Sequence, residues 1–242
     1  MTESQIHTTQ FIERREEAKD TMSFIFKRPT GFEFDAGQYN RWILPGTDSN
    51  GKTSSHFFTI SSAPHDENLM FTTKLTGSEY KNTLLKLTEG DEIKIFGPMG
   101  NFTLGASNNS RKVFLAGGIG ITPFHSMLRF AAAQKNTEEI FLFTSFSTPE
   151  EIIFQKEFED IIKSQPNLHV VYTVTHPEGS SINWQGETGR ITPELIQKYI
   201  PNFSDEVYYI AGPGAMVNGM KIMLGSMQIL DDHILTEEFP GY

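Results

Sequence analysis

The segment Val113-Phe-Leu-Ala-Gly117-Gly118-Ile-Gly120-Ile-Thr122-Pro123 decides the fold of the second half of the chain. Its four leading residues predict a short buried strand, the glycines predict a tight turn, and the proline suits the first turn of a helix. Glycines let a backbone approach a pyrophosphate closely, and the N-terminus of the following helix attracts an anion. Strand, glycine turn and helix together therefore predict a nucleotide site.

Outward from this turn, strands and helices alternate to the end of the chain. Further strands are predicted at 140–146, 169–175, 207–210 and 233–239, with helices at 123–134, 150–163, 193–199 and 216–227. This alternation indicates a doubly wound parallel sheet, which binds ligands at the carboxyl ends of its strands. Gly212 and Pro213 form a second small-residue turn at such an end. We predict an α/β nucleotide-binding domain over residues 108–242.

Residues 1–107 have a different pattern, because short apolar segments alternate there with turn residues. The segments lie at 21–26, 40–44, 56–61, 69–75 and 92–96, and one helix is predicted at 79–87. Short strands with frequent turns predict an antiparallel β-barrel or sandwich. The polar stretch 105–110 is the predicted linker. The fold class is thus an antiparallel β domain followed by a doubly wound α/β domain.

Composition excludes several classes of protein. The chain has 242 residues, no cysteine, 20 Lys+Arg and 30 Asp+Glu, for a net charge of -10. Without cysteine there is no disulfide scaffold, thiolate zinc site, all-cysteine iron–sulfur cluster or cysteine nucleophile. The acidic charge argues against non-specific binding to nucleic acid. No apolar run approaches about 18 residues and the start is polar, so we expect no membrane insertion and a cytoplasmic location.

The stretch Gly46–Thr53 matches the phosphate-loop pattern G-x-x-x-x-G-K-[ST]. A true phosphate loop needs a helix directly after it, whose N-terminus faces the phosphates. Residues 54–60 are instead aromatic and β-branched. The sequence therefore favours a polar hairpin loop between two strands, and a nucleotide triphosphatase is the weakest of the functions considered.

The ordered motifs of the chain resemble the ferredoxin–NADP reductase family. The glycine turn and Gly212-Pro213 resemble its pyridine-nucleotide domain. In the first half, His56-Phe57-Phe58-Thr59 resembles the flavin motif R-x-Y-[ST], and Gly97-Pro98-Met99-Gly100-Asn101-Phe102 resembles G-P-x-G-x-F. The segment Glu237-Glu238-Phe239 resembles the C-terminal E-x-aromatic. The likeness spans nearly the whole chain and implies that the β domain is a Greek-key flavin-binding barrel.

The resemblance implies a flavin-dependent NAD(P)H reductase. FAD, or FMN as in some members, would take a hydride from NAD(P)H. Electrons would then pass to a separate acceptor such as ferredoxin, flavodoxin or another redox protein, with no metal on this chain. Two alternatives stay open: a reductase of a small acceptor such as a ferric chelate or quinone, and a non-catalytic flavin- or nucleotide-binding subunit. Oligomeric state is not indicated.

Flavin contacts follow residue by residue from the motif. His56 stands where the usual arginine contacts the FAD diphosphate, Phe58 matches the aromatic beside the isoalloxazine, and Thr59 matches the hydroxyl near flavin N5. The N-terminus of the barrel helix either holds the diphosphate or is simply a capped helix. The resemblance also implies flavin contacts at Phe57, Thr72, Thr73, Lys74, Asn82 and Thr83.

Coenzyme contacts fall in the second half, where Glu237 and Phe239 join Thr59 as the implied catalytic residues. Either Phe239 or Tyr242 would cover the flavin, and Ala211 replaces a cysteine found in many members. The 2′-phosphate region 145–151 has hydroxyls and no basic residue, although Lys156 or Arg190 could reach it, so NADH and NADPH both stay open. The implied coenzyme-binding residues are Gly117, Gly118, Gly120, Thr122, Pro123, Gly212 and Pro213.

Overall fold

The computed structural model describes residues 5–47, 49–105, 111–203 and 206–239, which form two six-stranded sheets. The first sheet is antiparallel, with the strand order β4-β3-β6-β1-β2-β5. Ser61, just after β4, donates its backbone N–H to Met70 of β5 at 2.7 Å, so the two ends of the order meet and the sheet curls into a barrel. Its strands are β1 (Gln5–Ala18), β2 (Thr21–Lys27), β3 (Tyr39–Thr47), β4 (Thr53–Thr59), β5 (Asn68–Lys74) and β6 (Glu92–Met99).

Aromatic side chains fill the barrel. Phe24 and Phe26 alternate inward along β2, and both pack on Phe71 of β5. Trp42 is fully buried at the centre and donates its indole N–H to the Phe58 carbonyl oxygen at 3.2 Å. Each such ring stabilises the fold by about 1.5–3 kcal/mol through removal of apolar surface from water. The barrel core is therefore a packed interior with no room for a ligand at these positions.

Strand β1 was not predicted from the sequence. Residues 5–10 are mostly polar, and residues 13–17 are a charged run, Glu-Arg-Arg-Glu-Glu, without the alternation of a half-buried strand. Its first half pairs with β6 and its second half with β2, so tertiary pairing rather than local preference makes it a strand.

The second sheet is entirely parallel, with the order β10-β9-β8-β7-β11-β12, as the alternation predicted. The predicted helix 150–163 is divided: Pro149–Glu151 form a 3₁₀ turn, and the helix itself begins at Gln155 after Phe154, whose φ is 59°. Strand β10 was not predicted. The elements are β7 (Lys112–Gly117), β8 (Ile140–Phe146), β9 (Leu168–Val174), β10 (Glu187–Thr188), β11 (Val207–Gly212) and β12 (Ile234–Glu238), with helices α2 (Thr122–Ala133), α3 (Gln155–Ser164), α4 (Pro193–Tyr199) and α5 (Gly214–Ser226).

Polar contacts fasten the barrel to α2. Ser126 donates its hydroxyl to the Ser62 carbonyl oxygen at 2.7 Å, and Arg129 makes two hydrogen bonds to Asp66, at 2.8 and 2.9 Å. The segment that connects β4 to β5 is thus held against the helix that follows the glycine turn. Residues 106–110, which contain the predicted boundary at 107/108 and most of the predicted linker, lie outside the described residues.

Two smaller features complete the fold. The remaining helix, α1 (Glu79–Leu84), lies between β5 and β6. The phosphate-loop look-alike is a hairpin, because β3 and β4 pair antiparallel with Thr47 opposite Thr53, and the interpretation made from the sequence is correct. Asp48, inside this loop, lies outside the described residues.

None of the helices in the described part of the chain has the length and apolar character needed to cross a bilayer.

Candidate functional site

A cleft of about 770 Å³ opens at the carboxyl ends of β7, β8, β9 and β11, where the strand alternation predicted a ligand site. The barrel contributes Lys74 and Thr76 to its wall, so the cleft lies between the two domains. The nucleotide domain contributes residues from five segments: Gly117–Ile119, Ser145–Ser147 with Glu151, Thr175, Arg190 with Ile191, and the turn and first face of α5.

The three predicted glycines occupy two different kinds of position. Gly117 and Gly118 line the cleft, and Gly118 has a φ of 51° that favours glycine. Gly120 does not line it: a Cβ there would overlap the carbonyl group of Ala211 and lie 2.6 Å from Gly212 Cα. Gly120 therefore lets two backbone turns touch, and the pyrophosphate contact that the resemblance implied for it is not supported by its position.

The other predicted residues of this region are divided between the turns and the cleft. Thr122 donates its hydroxyl to the Ile119 carbonyl oxygen at 3.0 Å, and Pro123 occupies the first turn of α2. Both residues thus stabilise the turn and are buried. Pro213 lines the cleft, and Gly212 lies beside Gly117. Ala211 is fully buried in the sheet.

One wall of the cleft consists of three methionines that sequence reasoning missed. Met216, Met220 and Met223 share one face of α5, at spacings of four and three residues. Met216 lies on the surface left free by Gly117 and Gly212, since a Cβ on either glycine would be 2.9 Å from its Cε. Their helical spacing directly after Gly212-Pro213 could have identified them from the sequence as one face of a helix beside the turn. Thioether side chains give this wall an apolar, adaptable surface.

Three charged side chains line the cleft. Lys74 and Glu151 form an ion pair at 2.8 Å that joins the barrel to the nucleotide domain. Arg190, within the described residues, makes no hydrogen bond or ion pair, whereas Lys156 lies on α3 and does not line the cleft. The charges of Lys74 and Glu151 cancel, so the three charged side chains together give the cleft wall a net charge of one positive unit, carried by Arg190.

Glu150 is turned toward the loop at 180–181 and not into the cleft. Its carboxylate accepts hydrogen bonds from the Ser180 hydroxyl at 2.7 Å and from the Ser181 backbone at 3.0 Å. The bond from Ser180 is the main cause that lowers the pKa of Glu150 to about 2.

On the barrel side, the two neighbouring phenylalanines of the motif point to opposite faces of β4. The resemblance placed the flavin-facing ring at Phe58, but this residue is 7% exposed and stacks on Phe71, with 4.6 Å between ring centroids. Phe57 is 61% exposed and stands edge-on to Tyr39, at 5.9 Å. Successive residues of a strand point to opposite faces, and β4 turns Phe58 into the barrel core. The ring available to a ligand is Phe57.

Thr59 ends β4 with a buried hydroxyl that has no hydrogen-bond partner within the described residues. Its side chain is 3% exposed, and on β3 it faces Tyr39. A buried hydroxyl without a partner costs about 1–3 kcal/mol, so its presence points to a group that completes it.

Glu237 of β12 reaches the same junction from the nucleotide domain. A Cβ on Gly100 would be 4.0 Å from its Oε1 and 2.8 Å from the Tyr39 ring. Its Oε2 is buried with no partner in the described part of the chain. Burial raises the pKa of Glu237 to about 8. Tyr39 is thus paired with Thr59 across the strands, and the Glu237 carboxyl lies near Gly100, which adjoins the Tyr39 ring.

Phe239 is half-buried and packs on the nucleotide-domain core, and its backbone N–H donates to the Gly212 carbonyl oxygen at 3.0 Å. Tyr242 lies outside the described residues.

His56 lies against α1 and beside a lysine that sequence reasoning missed. Its ring is 4.5 Å from the Tyr80 ring, measured between centroids. Burial and the positive charge of Lys81 both lower the pKa of His56, and burial lowers the pKa of Lys81 to about 8. Lys81 therefore lies close enough to His56 to make the charged form of its ring less favourable, and a bound anion would favour the charged forms of both side chains.

The remaining predicted flavin contacts are engaged in local hydrogen bonds. Asn82 donates to the Gly77 carbonyl oxygen and Thr83 to that of Glu79, both at 3.0 Å. Ser78 accepts the Lys81 backbone N–H, so α1 begins as a capped helix. The hydroxyl of Thr72 lies 2.6 Å from that of Ser23, and Thr73 is fully buried. No cluster of three His, Cys, Asp or Glu side chains suited to a metal occurs among the described residues.

Residues 114–221 match the model of the oxidoreductase NAD-binding domain family. The glycine betaine monooxygenase reductase subunit of Chromohalobacter salexigens is 25% identical over 238 residues, which cover 96% of this chain and 64% of that protein. The propane 2-monooxygenase reductase component of Rhodococcus jostii is 27% identical over 217 residues, covering 87% and 57%. The chain thus spans less than two thirds of the length of these curated relatives.

Solved structures share the fold over the whole chain. The ferredoxin NADP⁺ reductase of Neisseria gonorrhoeae, with bound FAD and NADP, has a TM-score of 0.81 at 20% identity, covering 98% of this chain and 99% of that one. The flavohem-like FAD/NAD-binding domain of Vibrio cholerae nitric oxide dioxygenase has a TM-score of 0.82 at 20% identity, covering 96% and 97%. Residues 114–221 are thus similar to an oxidoreductase NAD-binding domain, the two relatives are by name reductase components, and the whole chain shares the two-domain fold of the solved ferredoxin NADP⁺ reductase.

Proposed function

We propose that this chain is an NAD(P)H-dependent flavoprotein reductase that holds FAD on the barrel, takes NAD(P)H into the cleft and delivers electrons to a separate acceptor. The observations that carry the proposal are the cleft at the carboxyl ends of the parallel strands and two buried groups without a partner among the described residues, the hydroxyl of Thr59 on the barrel and a carboxyl oxygen of Glu237 on the nucleotide domain. We also propose that residues 1–107 form the flavin domain and residues 108–242 the nucleotide domain.

The residues present fit FAD. A flat ring system needs an exposed aromatic face and a hydrogen-bond donor at its edge, which Phe57 and Thr59 offer. A diphosphate needs positive charge, which Lys81 supplies beside the His56 ring in place of one arginine. When bound, FAD supplies the chemistry of accepting a hydride and releasing its electrons one at a time.

The cleft suits a pyridine dinucleotide. Gly117 and Gly118 let the backbone approach a diphosphate, and the methionine wall formed by Met216, Met220 and Met223 gives an apolar surface for a planar ring. Arg190 supplies positive charge for a phosphate. These residues orient the coenzyme, which lowers the barrier by positioning the reacting atoms in advance.

Thr59 and Glu237 would act at the reacting end of the site. Because the pKa of Glu237 is raised to about 8, its carboxyl group is protonated at neutral pH and can donate a hydrogen bond. The Thr59 hydroxyl, with no other partner among the described residues, is equally available as a donor. Donors at these two positions would stabilise negative charge that develops during the transfer.

The acceptor is proposed to be a protein. Two relatives are by name the reductase parts of monooxygenases, which favours a separate oxygenase component or a small redox protein over a diffusible chelate. We propose a cytoplasmic location, where thiols stay reduced, and a chain without cysteine is compatible with it.

The function is tested by reconstituting the purified protein with FAD and mixing it anaerobically with NADH and NADPH in separate experiments. We expect stoichiometric FAD and bleaching of its absorbance by at least one coenzyme. A protein that binds neither FAD nor FMN, or whose bound flavin neither coenzyme reduces, would contradict the proposal.

Replacing Arg190 by alanine is expected to raise the KM of the coenzyme about tenfold with little change in kcat, because it removes one charge-assisted contact that is present throughout the reaction. Steady-state kinetics with both coenzymes measure this. An increase confined to NADPH would indicate a contact with the 2′-phosphate, and an equal increase would indicate the diphosphate. The exposed Lys163→Ala on α3 is the control. An unchanged KM for both coenzymes would remove Arg190 from the site.

Glu237 predicts a specific dependence of stability on pH in the flavin-free protein. The folded chain holds this proton up to a pKa of about 8, whereas an unfolded glutamic acid releases it near 4.5. The contribution of this group to stability is therefore full below pH 4.5 and declines as pH rises to about 8. As pH rises through this window, we expect the melting temperature of Glu237→Gln to increase relative to that of wild type. The exposed Glu238→Gln should show no such increase. A difference in melting temperature between E237Q and wild type that is the same at every pH would refute this.

A further inference from the structure

His125 lies in the second turn of α2 and is fully buried, although none of the motifs uses it. Its Nδ1 is 2.6 Å from the Ser61 carbonyl oxygen. Ser61 is two residues beyond Thr59, and α2 starts directly after the glycine turn. One side chain therefore connects the end of the strand that carries the proposed flavin donor to the helix that follows the coenzyme turn.

The other ring nitrogen also faces an acceptor. Nε2 lies 2.9 Å from Oε2 of Glu157 on α3, and Oε1 of the same carboxylate is 2.8 Å from Nη2 of Arg15 on β1. The hydrogen bond from His125 is the first cause that lowers the pKa of Glu157 to about 2. Glu157 is thus ionised at neutral pH and can only accept. The Ser61 carbonyl can only accept as well, so an acceptor faces each ring nitrogen of His125, an arrangement that is satisfied when both nitrogens donate.

An aromatic ring and several charged groups surround His125 and Glu157. The ring of Phe154 stacks on the His125 ring with 3.8 Å between centroids. The charged groups that surround the Glu157 carboxylate are Arg15 on β1 and Arg129 on α2, and Arg129 is itself paired with Asp66 of the barrel. A buried charge persists where it is paired and hydrogen-bonded in this way, and removing one partner leaves the other uncompensated.

We propose that His125 is a positioning residue for hydride transfer: as an imidazolium held by Glu157, it fixes the strand end that carries Thr59 against the start of α2, and so sets the separation between flavin and nicotinamide. The inference rests on the proposed reductase function. His125 touches neither cofactor in this scheme, so its loss should leave both binding surfaces in place. Misplacement by about 1 Å costs up to about 100-fold in rate when reacting groups must be aligned.

Two substitutions separate the hydrogen bond from the bulk of the ring. His125→Phe keeps an aromatic ring against Phe154 and removes both donors, whereas His125→Asn keeps a donor in place of Nδ1. In the FAD-loaded full chain, we expect H125F to reduce flavin at least tenfold more slowly at saturating coenzyme, with KM within about twofold of wild type. H125N keeps the contact to Ser61 and loses the one to Glu157, so its rate should lie between those of H125F and wild type. His169→Asn, a partly exposed histidine of β9, is the control.

A second measurement does not depend on turnover. Side-chain ¹⁵N spectra at neutral pH should show both nitrogens of His125 protonated, with the assignment taken from the signals that disappear in H125N. A neutral tautomer would overturn the inference, as would an H125F protein that keeps the wild-type rate, or an H125N protein as slow as H125F.

Glu157→Gln covers the case in which H125F does not fold. A fall in the flavin-reduction rate of more than about threefold at unchanged KM supports the inference, and a smaller change overturns it. Failure of the proposed function is recognised separately, since it appears as a wild-type protein whose flavin neither coenzyme reduces. The nitrogen signals are informative in either case.

Discussion

Alanine at Gly120 is expected to abolish the stable fold of the nucleotide domain. A Cβ at this position would overlap the Ala211 carbonyl group and lie 2.6 Å from Gly212 Cα, and all of these are backbone atoms that no rotamer change can move. Relief requires β7 and β11 to separate at the centre of a parallel sheet. We expect a loss of about 4 kcal/mol or more, which is exceptional for one methyl group, or insoluble expression.

Denaturant and thermal unfolding of Gly120→Ala measure this directly. Gly225→Ala is the matched control, because it adds the same methyl group near the end of α5, where no atom lies within 4 Å. This control should be neutral or stabilised by up to about 1 kcal/mol, since alanine is the better helix former. A G120A protein that unfolds at the same temperature as G225A would show that the two turns do not touch as described.

Valine at Thr59 is expected to separate stability from activity. The substitution replaces an unpartnered buried hydroxyl by a methyl group of similar size. The flavin-free protein should therefore gain about 1 kcal/mol, because the penalty of an unsatisfied hydroxyl disappears. The FAD-loaded protein should reduce its flavin about 100-fold more slowly, as is typical when one preorganised donor is lost from a reacting site.

Thr144→Val is the control for the predicted gain in stability and loss of flavin-reduction rate at Thr59. Thr144 on β8 is also buried with an unpartnered hydroxyl, but it belongs to no proposed binding surface. We expect a similar gain in stability there with an unchanged rate of flavin reduction. A T59V protein that is destabilised, or that keeps the wild-type rate, would mean that the Thr59 hydroxyl has a structural partner and no part in the reaction.

Most elements of the nucleotide domain could be predicted from the sequence because their local patterns are clear. The strand predicted at 140–146 and the helix at 193–199 have the observed bounds. The strand is a continuous apolar run that is buried, whereas the helix buries only Ile196 and is marked by its proline start and by apolar residues at helical spacing. Strand β1 is the opposite case, since its polar and charged residues become a strand only through pairing with β2 and β6.

The site was predicted less completely, because side-chain direction and contacts between distant segments are not local properties. The motif located the flavin edge at β4, yet whether Phe57 or Phe58 faces outward depends on the pairing register. Lys81 joins the site through the packing of α1 against His56, and no spacing in the sequence marks it. Gly120 has the right residue type in the right motif, but its reason is a contact with a strand about 90 residues away.

The methionine wall supplies its own spectroscopic probe. The chain has nine methionines, and Met216, Met220 and Met223 are the ones that line the cleft among the described residues. With ¹³C-methyl labelling, the whole protein would give only a handful of sharp signals, and three of them would shift as the cleft fills. Coenzyme occupancy, its exchange rate and the motion of α5 can then be followed on the unmodified chain, without a dye, a tag or a turnover assay.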